Sequence, residues 1–349
     1  MRANAKAKPG QILDGRFLLT DEIAIGGMST IFAARDLHGL TPSDVPEVTT
    51  VAAEPGAPAV VIKIPLPIFS SGTGSWSIFQ REEEIGRALD HDLVLKFVRL
   101  PRDKRRSYVV TEHVPGRTLA SRIAEQPPLS EAEALGIASQ LCAALEHVHE
   151  RGFVHYDVKP DNVMLCPDGT IRLIDFGLAH AAATRRSLFS GSPPAIGSAD
   201  YVAPERIKHR RGRRSVDIYG VGAILYEMLT GQPPFPGDDP FVIASARTIG
   251  DPTAPRTIDP SISRAAEEIT LRALRRRPAE RYHSAAAMKL ALDAPAAVPL
   301  SNLCDRLRPV TAWRRRLSIA RSILVFGVLP VAGQVALFLT LWQVFRMKP

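Results

Sequence analysis

Gly152–Leu165 reads GFVHYDVKPDNVML, and thirteen residues after Asn162 comes Asp175-Phe176-Gly177, at the end of a strand-like Ile171–Ile174. Asp157 and Asn162 are five apart, with Lys159 between them, and Pro160 makes the stretch a loop. Two carboxylates, one amide and one ammonium group thus converge from two adjacent turns. Phosphoryl transfer needs this set: a carboxylate beside the attacking hydroxyl, oxygen ligands for Mg²⁺, and a cation for the migrating charge. Such catalysis is mainly positioning and electrostatics, so a few groups can carry it.

Working outward, Ser130 and Glu133 have the spacing of a capping box, in which hydroxyl and carboxylate each satisfy an orphan N–H. Leu135, Leu141, Leu145 and Val148 then recur at helical spacing. A second helix is expected over Val216–Leu229, apolar enough to be central. Upstream, Arg16–Ile25, Thr30–Arg35, Ala59–Ile64 and Tyr108–Glu112 read as strands, and Phe79–Leu89 as a helix. Residues 38–58, rich in Pro, Gly and Thr, read as an insertion between strands.

His155–Asn162 (HYDVKPDN) and Asp175-Phe176-Gly177 resemble the catalytic and metal-binding loops of the protein kinase superfamily. The resemblance implies Asp157 as catalytic base, Lys159 at the γ-phosphate, and Asn162 with Asp175 as metal ligands. Lysine two places after the aspartate is similar to the serine/threonine type. Ile23–Ile31 (IAIGGMSTI) resembles the glycine-rich loop over the ATP phosphates, implying Ile23, Ala24, Ile25, Gly26, Gly27, Met28, Ser29 and Ile31 as nucleotide-binding positions. It departs from the pattern at Ala24 and Ser29, where glycines are expected, although small residues still let backbone approach phosphate.

Val60-Val61-Ile62-Lys63 is similar to the strand presenting the phosphate-binding lysine, and the resemblance gives it Glu82 as partner, with Glu83 second. Tyr108–Val114 looks like the adenine-binding strand and hinge, with Thr111 as gatekeeper and Glu112 and Val114 offering backbone hydrogen bonds. Gly197–Glu205 (GSADYVAPE) resembles the end of an activation segment, Asp217 a buried anchor of the catalytic loop, and Arg281 the partner of Glu205. The family's arginine before the catalytic aspartate is replaced by Tyr156, so loop phosphorylation lacks its usual charge partner and activity is expected not to depend on it. Thr184, Ser187, Ser190, Ser192 and Ser198 remain candidate acceptors.

The implied architecture is an α+β, two-lobed kinase fold: a polar lead at 1–15, a kinase domain at 16–293 with a β-rich N-lobe (16–112) and a helical C-lobe (113–293), and a basic linker at 294–321. The uncharged Ser322–Phe345 would span about 36 Å as a helix, enough for a bilayer core of about 30 Å. Alternatives are a buried soluble helix or a hairpin near Pro330. Six arginines between 306 and 321 precede the span, and only Arg346 and Lys348 follow it in a short tail at 346–349. This implies a single-pass inner-membrane protein whose kinase domain faces the cytoplasm. Only four residues follow Phe345, so no external sensor domain is expected. Gln334 at mid-span suggests homodimerisation through the helix.

The 349 residues suit one large domain or two small ones, and the net charge of +8 leans toward anionic partners, though a solvated surface with a juxtamembrane cluster explains it equally. The basic run Lys208–Arg214 has the same two readings, docking of an acidic partner or a solvated loop. No base-reading motif points to nucleic acid. Three cysteines without CxxC spacing exclude a disulfide scaffold or a zinc site and suit reduced thiols. His155 and Cys142 are expected to be packed, and Cys166 inert. The N-terminus carries no signal peptide. The expected reaction uses ATP with Mg²⁺ or Mn²⁺ to phosphorylate protein serine or threonine. The rivals are a nucleotide-binding pseudokinase scaffold and a small-molecule phosphotransferase, although the latter usually lacks the Lys159-Pro160 and Ala203-Pro204-Glu205 patterns.

Overall fold

The computed structural model describes residues 7–26, 29–37, 59–66, 73–100, 108–181, 200–207, 213–237 and 239–308. Five antiparallel strands form the N-lobe sheet in the order β1 (Ile12–Leu13), β2 (Phe17–Ile25), β3 (Ser29–Asp36), β4 (Ala59–Pro65) and β5 (Val109–Glu112). The sheet therefore starts inside the segment expected to be a polar lead. Leu13 is buried, and Asp14 accepts a 2.7 Å hydrogen bond from the Tyr108 hydroxyl.

Alternation along β4 decides where the chemistry goes. Val60 and Ile62 point into a core with Phe17, Leu19, Phe32 and Val110, so Lys63 lies on the opposite face. The register Ala24↔Ile31↔Lys63 aligns those side chains across that second face. Helix α1 (Thr73–Ala88) begins before the expected Phe79. Its buried positions Phe79, Glu82 and Ile85, and Leu89 just past its end, recur every three or four residues. Glu82 is thus a carboxylate in an otherwise apolar stripe.

The segment after α1 binds the lobes together. Leu95 N–H donates to Leu173 O at 3.0 Å, and Leu173 N–H to Leu93 O at 2.9 Å. Arg151 donates to Ala88 O at 2.8 Å, placing a cation at the C-terminal end of α1.

In the C-lobe, β6 (Arg117–Thr118), β8 (Val163–Leu165) and β9 (Ile171–Leu173) form one small sheet, and β7 (Phe153–Val154) pairs with β10 (His180–Ala181). The helices are α2 (Leu119–Glu125), α3 (Glu131–Glu150), α4 (Pro204–Ile207), α5 (Ser215–Thr230), α6 (Pro240–Ile249), α7 (Pro255–Ile258), α8 (Arg264–Ala273) and α9 (Ala285–Asp293). Leu135, Leu141, Leu145 and Val148 of α3 join one core with α5, α8 and α9, and Cys142 is fully buried in it. The N-cap of α3 differs from expectation in one half. Ser130 Oγ accepts the Glu133 N–H at 3.3 Å, but the Glu133 carboxylate turns to Arg122 at 3.0 Å rather than back to Ser130. A charged donor from α2 outcompetes the neutral amide.

The chain stays packed beyond residue 293. Glu268 of α8, buried, accepts hydrogen bonds from Ser301 N and Leu303 N at 3.2 Å and from the Ser301 hydroxyl. Asp251, also buried, accepts from Arg308 N at 2.9 Å. Among the described residues no helix is long and apolar enough to cross a membrane. Ser322–Phe345, the 38–58 insertion, the candidate acceptors Thr184–Ser198 and most of the basic run Lys208–Arg214 lie outside the described residues.

Candidate active site

Strand β4 sends Lys63 to the buried Glu82 of α1. Lys63 Nζ lies 3.0 and 3.1 Å from its two carboxylate oxygens and 2.9 Å from Asp175 Oδ1. Glu83, the second sequence candidate, pairs instead with Arg87 one turn on. Burial opposes the charge on Lys63, but Asp175 and Glu82 override it and raise its pKa above the ordinary lysine value. Burial pushes the Glu82 carboxyl up to about 7, with Lys63 only partly offsetting it. Desolvation also works against the Asp175 carboxylate, but the Lys63 charge and hydrogen bond and the Gly177 N–H hold it down at about 2.

Asp175 has φ of 61°, a left-handed conformation that is costly outside glycine. That turn lets Asp175 Oδ1 accept the Gly177 N–H at 3.1 Å. A Cβ on Gly177 would lie 3.1 Å from Asp175 Oδ1 and 3.5 Å from both Glu82 and Lys63. A side chain here would press on the Asp175 carboxylate and sit in contact with Glu82 and Lys63, so three charged side chains meet against this backbone.

The loop from Asp157 to Asn162 closes on itself. Asn162 Nδ2 donates to Asp157 O at 2.8 Å and to Asp157 Oδ2 at 2.9 Å, and Lys159 Nζ lies 2.8 Å from the same oxygen. Ile174 N–H donates to Asn162 O at 2.9 Å, tying this loop to the strand that delivers Asp175. His155 is fully buried, with its ring 4.9 Å from that of Phe176.

Beneath the loop, Asp217 of α5 accepts His155 N–H at 2.9 Å and Tyr156 N–H at 2.8 Å, and His149 Nε2 lies 2.8 Å away. Burial resists ionisation of Asp217, and the hydrogen bond from His149 leads the effects that hold its pKa below the usual range. Arg281 meets Glu205 through two bonds of 2.7 and 2.8 Å, both side chains buried.

At the roof of the cleft, Ile23, Ala24 and Ile25 end β2 exposed, Gly26 N–H donates to Ser29 O at 2.8 Å, and Ser29 and Ile31 begin β3. Gly27 and Met28 lie outside the described residues. Thr111 is buried opposite Val61. Glu112 N–H is already taken by Lys96 O at 3.0 Å. Val114, just past β5, makes no hydrogen bond among the described residues, so its N–H and C=O are available to a ligand edge.

The donor set fits a nucleotide with a divalent cation. Asn162 spends its amide nitrogen on Asp157, leaving its oxygen as an acceptor, and the Asp175 side chain is 42 % exposed to the cleft. Two oxygens suffice where phosphates and water complete the shell. Among the described residues no group of three or more His, Cys, Asp or Glu could hold a metal unaided. Sequence reasoning did not reach His149 or Arg206 near the loop. His149 carries a signal in hindsight, a polar residue on the otherwise apolar stripe of α3.

A family model described as protein kinase domain matches residues 59–291. The chain belongs to this family. It is similar to bacterial serine/threonine kinases: to a probable serine/threonine-protein kinase, CE0033, of Corynebacterium efficiens, at 30 % identity over 290 residues (81 % of this chain, 41 % of the relative). PknB of Mycolicibacterium smegmatis is 30 % identical over 283 residues (80 % and 43 %), and PknB of Mycobacterium tuberculosis H37Rv 30 % over 281 (79 % and 42 %). The chain spans roughly two-fifths of the length of these curated relatives.

Proposed function

We propose that this chain transfers the γ-phosphoryl group of ATP to serine or threonine hydroxyls of proteins. The observation that carries this is the closure of Asp157, Lys159 and Asn162 into one hydrogen-bonded loop whose neighbour Asp175 reaches the Lys63–Glu82 pair. Asp157 accepts the hydrogen bond of the incoming hydroxyl and orients its oxygen. Lys159, already 2.8 Å from Asp157, supplies positive charge where the phosphoryl group migrates. Lys63, fixed by Glu82, holds the nucleotide phosphates, and Val114 with the Glu112 carbonyl takes the adenine edge. Asn162 and Asp175 would hold Mg²⁺, or Mn²⁺, which when bound neutralises charge on the phosphates.

A pseudokinase scaffold is the weaker reading, because Lys63, Glu82, Asp157, Asn162 and Asp175 are all present. Membrane attachment through Ser322–Phe345, with the kinase domain on the cytoplasmic side, rests on the uncharged stretch and the arginines before it. Pairing of two copies through Gln334 rests on sequence alone.

The test is autophosphorylation and phosphorylation of a generic basic protein by the full chain with labelled ATP and Mg²⁺. Label on serine or threonine that disappears in Asp157→Asn and Lys63→Met is the expected result. Nucleotide binding without label would favour the scaffold, and loss of label after extraction of membranes without detergent would support the anchor.

A further inference from the structure

Position 156, where the resemblance leads one to expect arginine, carries tyrosine, and the structure gives that tyrosine a partner. Tyr156 sits at φ of 67°, a strained conformation for a residue of its size. Its N–H is held by Asp217, and its side chain packs half-buried against the apolar cluster that includes Ala203, Val216 and Tyr219. Arg206, from the short helix α4, covers the ring. Its guanidinium carbon lies 4.6 Å from the ring centroid, and its Nη1 donates to the Tyr156 carbonyl at 3.3 Å.

The Tyr156 carbonyl belongs to the peptide plane that continues into Asp157 N, so fixing that oxygen fixes the orientation in which Asp157 leaves the loop. Arg206 is itself anchored. Its neighbour Glu205 is locked by Arg281 through two hydrogen bonds, and Arg206 N–H donates to Ala203 O at 3.0 Å. The Arg206 side chain is buried, which disfavours its charge, and Tyr156, Asp217, Asp157 and Glu205 work in the opposite direction. A desolvated guanidinium over an aromatic face is the geometry in which cation–π attraction is strongest.

We propose that Arg206 is a positioning residue for phosphoryl transfer, holding the Asp157 loop through the ring and carbonyl of Tyr156. The end of the activation segment is thereby tied to the catalytic loop by the chain's own side chains, with no phosphate required for the link. Two guanidinium groups at 156 and 206 would need an anion between them; Tyr156 offers a π-face instead. The inference rests on the kinase reading above.

The experiment uses the full chain and its Tyr156→Leu, Tyr156→Phe, Arg206→Met and Arg206→Lys variants, with the Tyr156→Leu/Arg206→Met double variant. It measures kcat, KM for ATP, the thermal midpoint, and the initial rate before and after phosphatase treatment. Tyr156→Leu and Arg206→Met should each lower kcat about tenfold, with KM for ATP changing less than about twofold, because Lys63 and the cleft roof are untouched. The double variant should be no slower than the slower single one, Tyr156→Phe should restore most of the rate, and Arg206→Lys should fall between. Phosphatase should leave the wild-type rate unchanged. Additive losses, a Phe variant as slow as the Leu variant, kcat losses that merely follow the melting temperature, or a large phosphatase effect on the wild type would overturn the proposal. If Arg206→Met does not fold, the Phe and Leu variants of Tyr156 decide alone. An inactive wild type would bring down the kinase reading itself, whereas an active wild type with unaffected variants would bring down only this inference.

Discussion

Glu82 Oε1 lies 3.0 Å from Lys63 Nζ, a contact between a helix and a strand nineteen residues apart whose carboxylate is buried and whose lysine faces the cleft. The pair sets how the protein should respond to acid. The Glu82 value is raised to about 7, so Glu82 takes up a proton as pH falls through that point and ceases to balance Lys63. Lys63 stays charged throughout, its own value being raised. The phosphorylation rate should therefore decline on the acid side of about pH 7. Glu82→Gln should cost at least about tenfold at pH 8 and lack that decline, as a pH–rate profile of both proteins would reveal.

Arg281 and Glu205 form a buried bidentate pair that joins the end of the activation segment to the loop after α8. Arg281→Met leaves the Glu205 carboxylate buried without its cation and should cost about 3 kcal/mol in denaturant unfolding. Arg281→Met/Glu205→Met removes both charges and should recover most of that loss. A double variant as unstable as the single one would show that the pair is not the source of the cost.

Gly86 lies mid-helix in α1, where alanine would ordinarily be favoured by about 1 kcal/mol. A Cβ there would come within 2.2 Å of the Phe97 ring, which in turn lies 6.2 Å from the ring of Phe176. Gly86→Ala should therefore destabilise by about 1–3 kcal/mol and slow phosphorylation by pushing α1, and Glu82 with it, away from Lys63. Combining it with Phe97→Leu should relieve both effects. A Gly86→Ala protein more stable than wild type would refute the packing argument.

Ending the chain at residue 293 removes the donors that Ser301 and Leu303 give to Glu268 and that Arg308 gives to Asp251. Two buried carboxylates would lose partners, and the melting temperature should drop by roughly 5 °C relative to a chain ending at 308. Equal melting curves would mean that water replaces the lost donors without penalty.

The lysine strand, the loop of Asp157 and Asn162 and the Asp175 turn were legible because each is written in a short stretch, where alternation, proline and glycine act locally. The helices α3 and α5 were legible because an apolar stripe repeats at 3.6 residues. The N-cap of α3 was legible only in its local half, since Ser130 reaches its own helix while Glu133 answers to Arg122 on another. The strand at Ile12–Leu13 was missed because two residues carry no period.

By itself the sequence determined the order and spacing of the groups proposed for phosphotransfer, the lobe that carries each, and the replacement of the expected arginine by Tyr156. Tertiary structure alone decided that the Glu133 carboxylate turns to Arg122, that Arg206 covers Tyr156, and that Glu268 and Asp251 hold the chain after the last helix. The physical reason is the range over which each is fixed. Backbone preferences and periodicity act across a few neighbours and leave a pattern in the chain. The choice of partner for a buried charge is made by whichever distant element packs against it, where desolvation makes an unpaired group too costly to remain.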